Sequence, residues 1–198
     1  MLKDFRQKLR RLLLSALHPI TVWVGETHMP WSRKKITGID LFEVLSCVKP
    51  GMIFLTKTHG ELTNLFIPGK WSHVGIYTGE NTVVEAVGKG VIEKDLATFM
   101  LTKDEICLLA PAFITDEKRM KYAAEWCERQ IGLPYDYDFY SNNKAFYCSE
   151  LVYNAYKVVD PTSGFELRER LGVKTVLPDD FYRAREKWRE VWGNYKVE

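Results

Sequence analysis

The chain has 198 residues, 46% of them hydrophobic and 27% charged, with a formal net charge of +2 at neutral pH. That size and balance suit one globular domain with a sizeable core, alone or with an extension. So small a net charge, with acids matching the basic residues over most of the chain, argues against a nucleic-acid partner, and the sequence has no Gly-rich phosphate loop, repeat or low-complexity tract.

In chain order, Leu2, Phe5, Leu9, Leu12, Leu13 and Leu17 recur at helical spacing among Lys3, Arg6, Lys8, Arg10 and Arg11, which predicts an amphipathic helix over 2–17 ending near Pro19. The segment lacks the long uncharged core and small-residue cleavage site of a signal peptide, and no stretch reaches the roughly 20 apolar residues of a membrane span. Packing on its own domain is the expected role, with weak contact of a basic helix with a membrane surface as the alternative. Residues 21–35 read as an irregular connection and 39–47 as a short helix. Lys49-Pro50-Gly51 then turns the chain into the strand MIFLT, followed by a loop over 57–70.

HVGIYTGENTVVEAV, residues 73–87, is the clearest hairpin, interrupted by Gly79-Glu80-Asn81. A brief strand at Val91-Ile92 and another at Glu105–Ala110 follow, the second stopped by Pro111. A helix is expected over Asp116–Ile131, with Met120, Ala124, Cys127 and Ile131 as its apolar stripe and Gly132 ending it. Another should start at Cys148 and run to about Val158. Pro178-Asp179-Asp180 opens a last helix carrying Phe181, Tyr182, Ala184 and Trp188. Helices mixed with hairpin-linked strands indicate an α+β fold.

The four cysteines are far apart, without a CxxC pair. Cys47, Cys107 and Cys127 sit among apolar residues, as small buried hydrophobes do. The pattern favours free thiols, a reducing compartment and hence the cytoplasm. Cys148 differs, because Tyr147, Ser149 and Glu150 flank it at a helix start, where the N-terminal field favours a thiolate and the first N–H groups can face an oxyanion. Core packing is the competing reading, since Leu151, Val152 and Ala155 mark this helix as buried.

His73, at the start of a strand, is the matching base, and Glu85 can orient its imidazole. Strand side chains alternate faces, so this pairing depends on the hairpin loop. A two-residue turn would pair Glu85 with Val74 or Ile76, on the wrong face. A three-residue loop of Gly79, Glu80 and Asn81 would pair it with Gly75, diagonal to His73. An odd loop or a bulge is therefore required, and Gly75 would leave room for the carboxylate. An exposed strand glutamate fits Glu85 equally well from sequence alone.

WSHVGIYTGENTVVEAVGKGV, then GLPYDYDFY and FYCSELVYNAY, resembles the circularly permuted papain-like group, the YiiX-like relatives of NlpC-type cell-wall peptidases, more distantly similar to lecithin:retinol acyltransferase. The histidine precedes the cysteine, the reverse of ordinary papain-like enzymes. The resemblance runs from about Pro50 to Pro178 and implies a small antiparallel sheet or open barrel packed against helices. It further implies Cys148 as nucleophile, His73 as base and Glu85 as orienting residue, with Tyr147, Tyr137 and Asp138 walling a substrate cleft. The expected organisation is an N-terminal helical extension over 1–48 and a permuted papain-like catalytic domain over 49–198.

No cofactor is expected. A metal held by His59, His73 and Cys148 has no ligand spacing to support it, and Ser72 is expected only to cap or hydrogen-bond locally. The leading expectation is a cysteine hydrolase cleaving amide bonds in a peptide or peptidoglycan fragment through an acyl-enzyme. A thioesterase or acyltransferase on acyl-lipid substrates, or a binding module that keeps the fold without turnover, are the alternatives.

Overall fold

The computed structural model describes residues 36–59, 67, 69–137, 139, 144–161, 167–170 and 173–195. The expected 2–17 helix lies outside them. The elements run α1 (Gly38–Cys47), β1 (Ile53–Lys57), β2 (His73–Gly79), β3 (Thr82–Val87), β4 (Gly90–Asp95), α2 (Leu96–Leu101), β5 (Glu105–Pro111), α3 (Glu117–Glu128), α4 (Cys148–Val159), β6 (Arg168–Arg170), β7 (Val173–Thr175), α5 (Pro178–Arg183) and β8 (Trp188–Gly193).

Six strands form one antiparallel sheet in the order β4-β3-β2-β1-β5-β8, and β6 pairs with β7 separately. With β4 and β8 as its edges, the sheet is open rather than a closed barrel. Helices α3 and α4 pack on each other and on β2 and β3. Both faces of β3 are covered: Val83, Val84, Glu85 and Ala86 are all fully buried. The central position of β1 explains its unbroken apolar run, since Ile53, Phe54 and Leu55 are buried against neighbours on both sides. At the turn into β1, Gly51 has φ +92, and a Cβ there would lie 2.5 Å from the Met120 carbonyl oxygen. Only glycine fits.

The hairpin between β2 and β3 departs in detail from the expected loop. Glu80 and Asn81 both have positive φ, 48° and 61°, and Gly79 pairs directly with Thr82, so the turn is a two-residue type I′ turn. By itself that turn would set Glu85 opposite Ile76. The register shifts between Tyr77 and Gly79, leaving Thr78 as a bulge, and the shift restores the pair Gly75↔Glu85.

Other elements differ from expectation for tertiary reasons. Helix α3 stops at Glu128, so Ile131 lies beyond it and is 41% exposed, and Ala123 joins the buried stripe instead. Trp188 does not ride on the last helix. Helix α5 ends at Arg183, and Trp188 opens β8, paired with Pro111 and buried against the rings of Phe113, Tyr156 and Phe181. The strand expected at Val91-Ile92 extends to Asp95, where the Asp95 carboxylate accepts from the Thr98 N–H and starts the unanticipated α2. Strands β6 and β7 were likewise not expected. Among the described residues no helix is long and apolar enough to cross a membrane.

Candidate active site

Cys148 is the first residue of α4. Tyr147 before it is extended, at φ −88° and ψ 164°, and makes no side-chain cap. The first-turn N–H groups of α4 are therefore left for whatever lies beside the thiol. Cys148 is buried, as are Ser149, Glu150, Leu151 and Val152 after it. The other three cysteines are free as well, with burial pushing Cys107 up to about 12 and Cys127 higher still.

His73 is the first residue of β2. With Gly75 opposite Glu85, His73 stands diagonal to Glu85 on the same face, and its Nε2 lies 2.7 Å from Glu85 Oε2. The ring also hydrogen-bonds Cys148, so the imidazole lies between thiol and carboxylate. The Glu85 side chain is 0% exposed and that of His73 17%, which rules out the exposed-glutamate reading. A Cβ at Gly75 would meet Val83 Cγ1 at 2.8 Å and the Phe99 ring at 3.3 Å, so apolar packing fills that space.

The electrostatics favour a charged pair. Burial opposes ionisation of Cys148, but the His73 charge, its hydrogen bond and the N–H groups of Val74 and Ser149 outweigh burial and bring the thiol below its ordinary value. Burial likewise opposes the imidazolium, yet Cys148 and Glu85 together push His73 up to about 9. Glu85, despite its burial, is held well below the usual carboxylate range by its hydrogen bond to His73 and by the charges of His73, Lys103 and Lys94. These protons belong to the coupled group rather than to single residues.

The remaining expected residues divide. The Tyr147 hydroxyl accepts from the Val176 N–H at 3.3 Å while its ring packs 4.9 Å from that of Phe139, so it joins α4 to the segment before α5. Tyr137 donates to the Gly88 carbonyl at 2.9 Å, which ties it to the β3–β4 turn, and its ring meets that of Tyr135 edge-on. Asp138 lies outside the described residues. Ser72 is buried, and its hydroxyl has no hydrogen-bond partner among the described residues. His59 pairs with Glu105 at 2.9 Å instead of joining His73 and Cys148 in a metal group.

Sequence reasoning missed Lys94, Tyr135 and Asp136, and named Glu150 only as flanking Cys148. Lys94 Nζ lies 2.8 Å from the second Glu85 oxygen. Burial, with the charge of Cys148, holds the Tyr135 hydroxyl protonated. Glu150 and Asp136 are both buried, and burial together with the Asp136 charge pushes Glu150 up to about 8. Strand parity across the β3–β4 hairpin could have found Lys94. Nothing in the sequence places the 135–136 segment against the first turn of α4.

Comparison with known proteins gives the same architecture. A family model described as permuted papain-like amidase enzyme, YaeF/YiiX, matches residues 47–191. A crystal structure titled metalloprotein YiiX from Escherichia coli O157:H7 aligns with TM-score 0.62 at 20% identity, covering 75% of this chain and 98% of that one, which shows a shared fold. No curated protein matches the sequence. The family match runs past Pro178, where the sequence resemblance was expected to stop, because β8 is the sixth strand of the same sheet. The chain belongs to the permuted papain-like amidase family of YaeF and YiiX and is an enzyme of the cysteine-hydrolase kind.

Proposed function

We propose that the protein hydrolyses amide bonds in a peptide or peptidoglycan-like substrate through a Cys148–His73–Glu85 triad. The observation that carries this reading is the fully buried Glu85, 2.7 Å from His73 Nε2, with His73 bonded in turn to a thiol at a helix N-terminus. The Cys148 thiolate attacks the carbonyl carbon, and the oxyanion forms where the α4 first-turn N–H groups point. The His73 imidazolium gives its proton to the leaving amine, which departs and leaves a thioester on Cys148. Neutral His73 then takes a proton from water, whose oxygen attacks the thioester carbonyl, releasing the acid and restoring the thiolate–imidazolium pair. Glu85 holds the ring and its tautomer throughout.

The YiiX structure's title calls that protein a metalloprotein. Among the described residues here, no three His, Cys, Asp or Glu side chains form a group able to hold a metal. Cys148, His73 and Glu85 are strung as a chain with the imidazole in the middle rather than converging on one point. The residues therefore do not fit a metal site, and no step is routed through one.

Intact-mass spectrometry after mixing with peptide amides, peptidoglycan fragments and acyl-lipid donors tests the reading. An acyl adduct from an amide substrate, lost in Cys148→Ala, is the expected result. Adducts from lipid donors alone would make the protein a thioesterase or acyltransferase. Equal iodoacetamide labelling of all four cysteines, with no adduct from any donor, would make it a binding module.

A further inference from the structure

The carboxylate of Glu85 has two oxygens, and His73 uses one. Oε2 faces the imidazole at 2.7 Å, while Oε1 faces the Lys94 ammonium at 2.8 Å. Strand register places both partners. Val83 is opposite Lys94 on β4 and Gly75 is opposite Glu85 on β2. Lys94 and His73 therefore stand diagonal to Glu85 on one face of the sheet, from its two sides. The Lys94 contact lacks the alignment of a hydrogen bond, so what it supplies is charge. A second cation stands nearby: Lys103, after α2, places its ammonium 5.5 Å from the centre of the Phe99 ring, the ring that fills the space over Gly75, and its charge also acts on Glu85.

We infer that Lys94 is a positioning residue, the outer member of a thiolate–imidazolium–carboxylate–ammonium row, whose charge sets the pH window in which Cys148 is reactive. The inference rests on the triad proposed above. Cys148, His73 and Glu85 in their reactive state carry a net negative charge, two anions against one cation. A buried uncompensated charge is strongly disfavoured, and the row would escape it by taking up a proton. Lys94 removes that drive by making the alternation complete. Lys103 adds to the same effect without touching the carboxylate. The groups facing Glu85 are thus His73 from β2, Lys94 from β4 and Lys103 from the α2–β5 turn, with Cys148 beyond His73.

The sign follows. Loss of a neighbouring cation makes every acid in the row hold its proton to higher pH. In Lys94→Met, the pH midpoint for alkylation of Cys148 by iodoacetamide should rise by about half to one unit, read as a roughly three- to tenfold slower rate on the acid limb. Lys94→Gln should do the same, Lys103→Met should move the midpoint in the same direction, and Lys94→Arg should bring it back. The rate is measured on the full chain by mass spectrometry, Cys148 against the other three cysteines. His73→Ala is the separating control. If its alkylation profile matches that of the native chain, the triad itself is wrong. If His73→Ala raises the midpoint while Lys94→Met and Lys94→Gln leave it unchanged, the triad stands and the role of Lys94 is overturned. Failure of both neutral variants to fold, with Lys94→Arg folded, would assign Lys94 to the fold and overturn the proposal as well.

Discussion

The two sides of Cys148 are buried alike but charged in opposite ways. On the β2–β3–β4 side, charges alternate from thiol to imidazole to Glu85 to Lys94, and Glu85, although fully buried, remains ionised. On the other side, Glu150 and Asp136 are two buried carboxyl groups, and Glu150 holds its proton up to about pH 8. Glu150 occupies the third position of α4 and accepts from the Tyr147 N–H, as a capping-box glutamate does, but its Oε2 has no hydrogen-bond partner among the described residues. Burial is thus not what separates the two glutamates. The sign of the neighbouring charge decides: a cation makes a buried carboxylate an anion fit to hold an imidazolium, while a second carboxyl favours a neutral acid fit for packing.

The largest test of the contrast is to remove the register that builds the paired side. Inserting one residue between Thr78 and Gly79, with the type I′ turn and its one-residue bulge kept, sets Glu85 opposite Ile76, which turns Glu85 away from His73. The expected result is a loss of about ten degrees or more in Tm, with loss of preferential Cys148 labelling. Unchanged labelling would mean that Glu85 does not need that face.

Glu85→Gln keeps the shape and removes the charge. The native imidazolium should persist until pH passes about 9; its raised value means that the charged pair is present below that point and lost above it. In the glutamine variant the basic limb of kcat/KM should move down towards the ordinary imidazole range. The value near neutrality should fall about ten- to a thousandfold. A basic limb that stays in place would assign the raised histidine to Cys148 alone.

Gly75→Ala presses a methyl into Val83 and Phe99 beneath the paired row. Denaturant titration should show a loss of about 1–3 kcal/mol from overpacking, with the Glu85 charge untouched. The smallest effect belongs to the like-charged side. Glu150→Gln resembles the protonated acid already present at neutral pH and should leave neutral turnover within about twofold. A raised carboxyl value means that the native chain loses stability as pH rises from the unfolded glutamate value towards 8. The glutamine variant should lack that slope and melt higher than the native chain in mild alkali. Parallel melting curves for the two proteins would show that Glu150 and Asp136 do not oppose each other.

Much of the contrast was legible before the fold. Cys148 at a helix start, His73 at a strand start and the parity condition on Glu85 all follow from periods of 3.6 and 2 residues, which local sequence reveals. That condition stated the need for an odd loop or a bulge. It did not choose the bulge, because Glu80 and Asn81 tolerate positive φ in either arrangement and only pairing along the whole of β2 and β3 selects one. Phe181, Tyr182, Ala184 and Trp188 fit a helix stripe in the sequence, but the open edge beside β5 takes Trp188 into a strand instead. The spacing of Ile131 fits the apolar stripe of α3, but the helix ends before reaching it.

By itself, then, the sequence determined the local element to which Cys148, His73 and Glu85 each belong, because helix starts, strand alternation and turn residues are properties of neighbouring positions. The tertiary structure decided what each charge meets. Whether Glu85 faces His73 and Lys94, and whether Glu150 faces Asp136, depends on a one-residue bulge and on how a connection packs against α4. The state of a buried carboxyl is fixed by the sign and distance of its partners, and those are set only when separate segments of the chain come together.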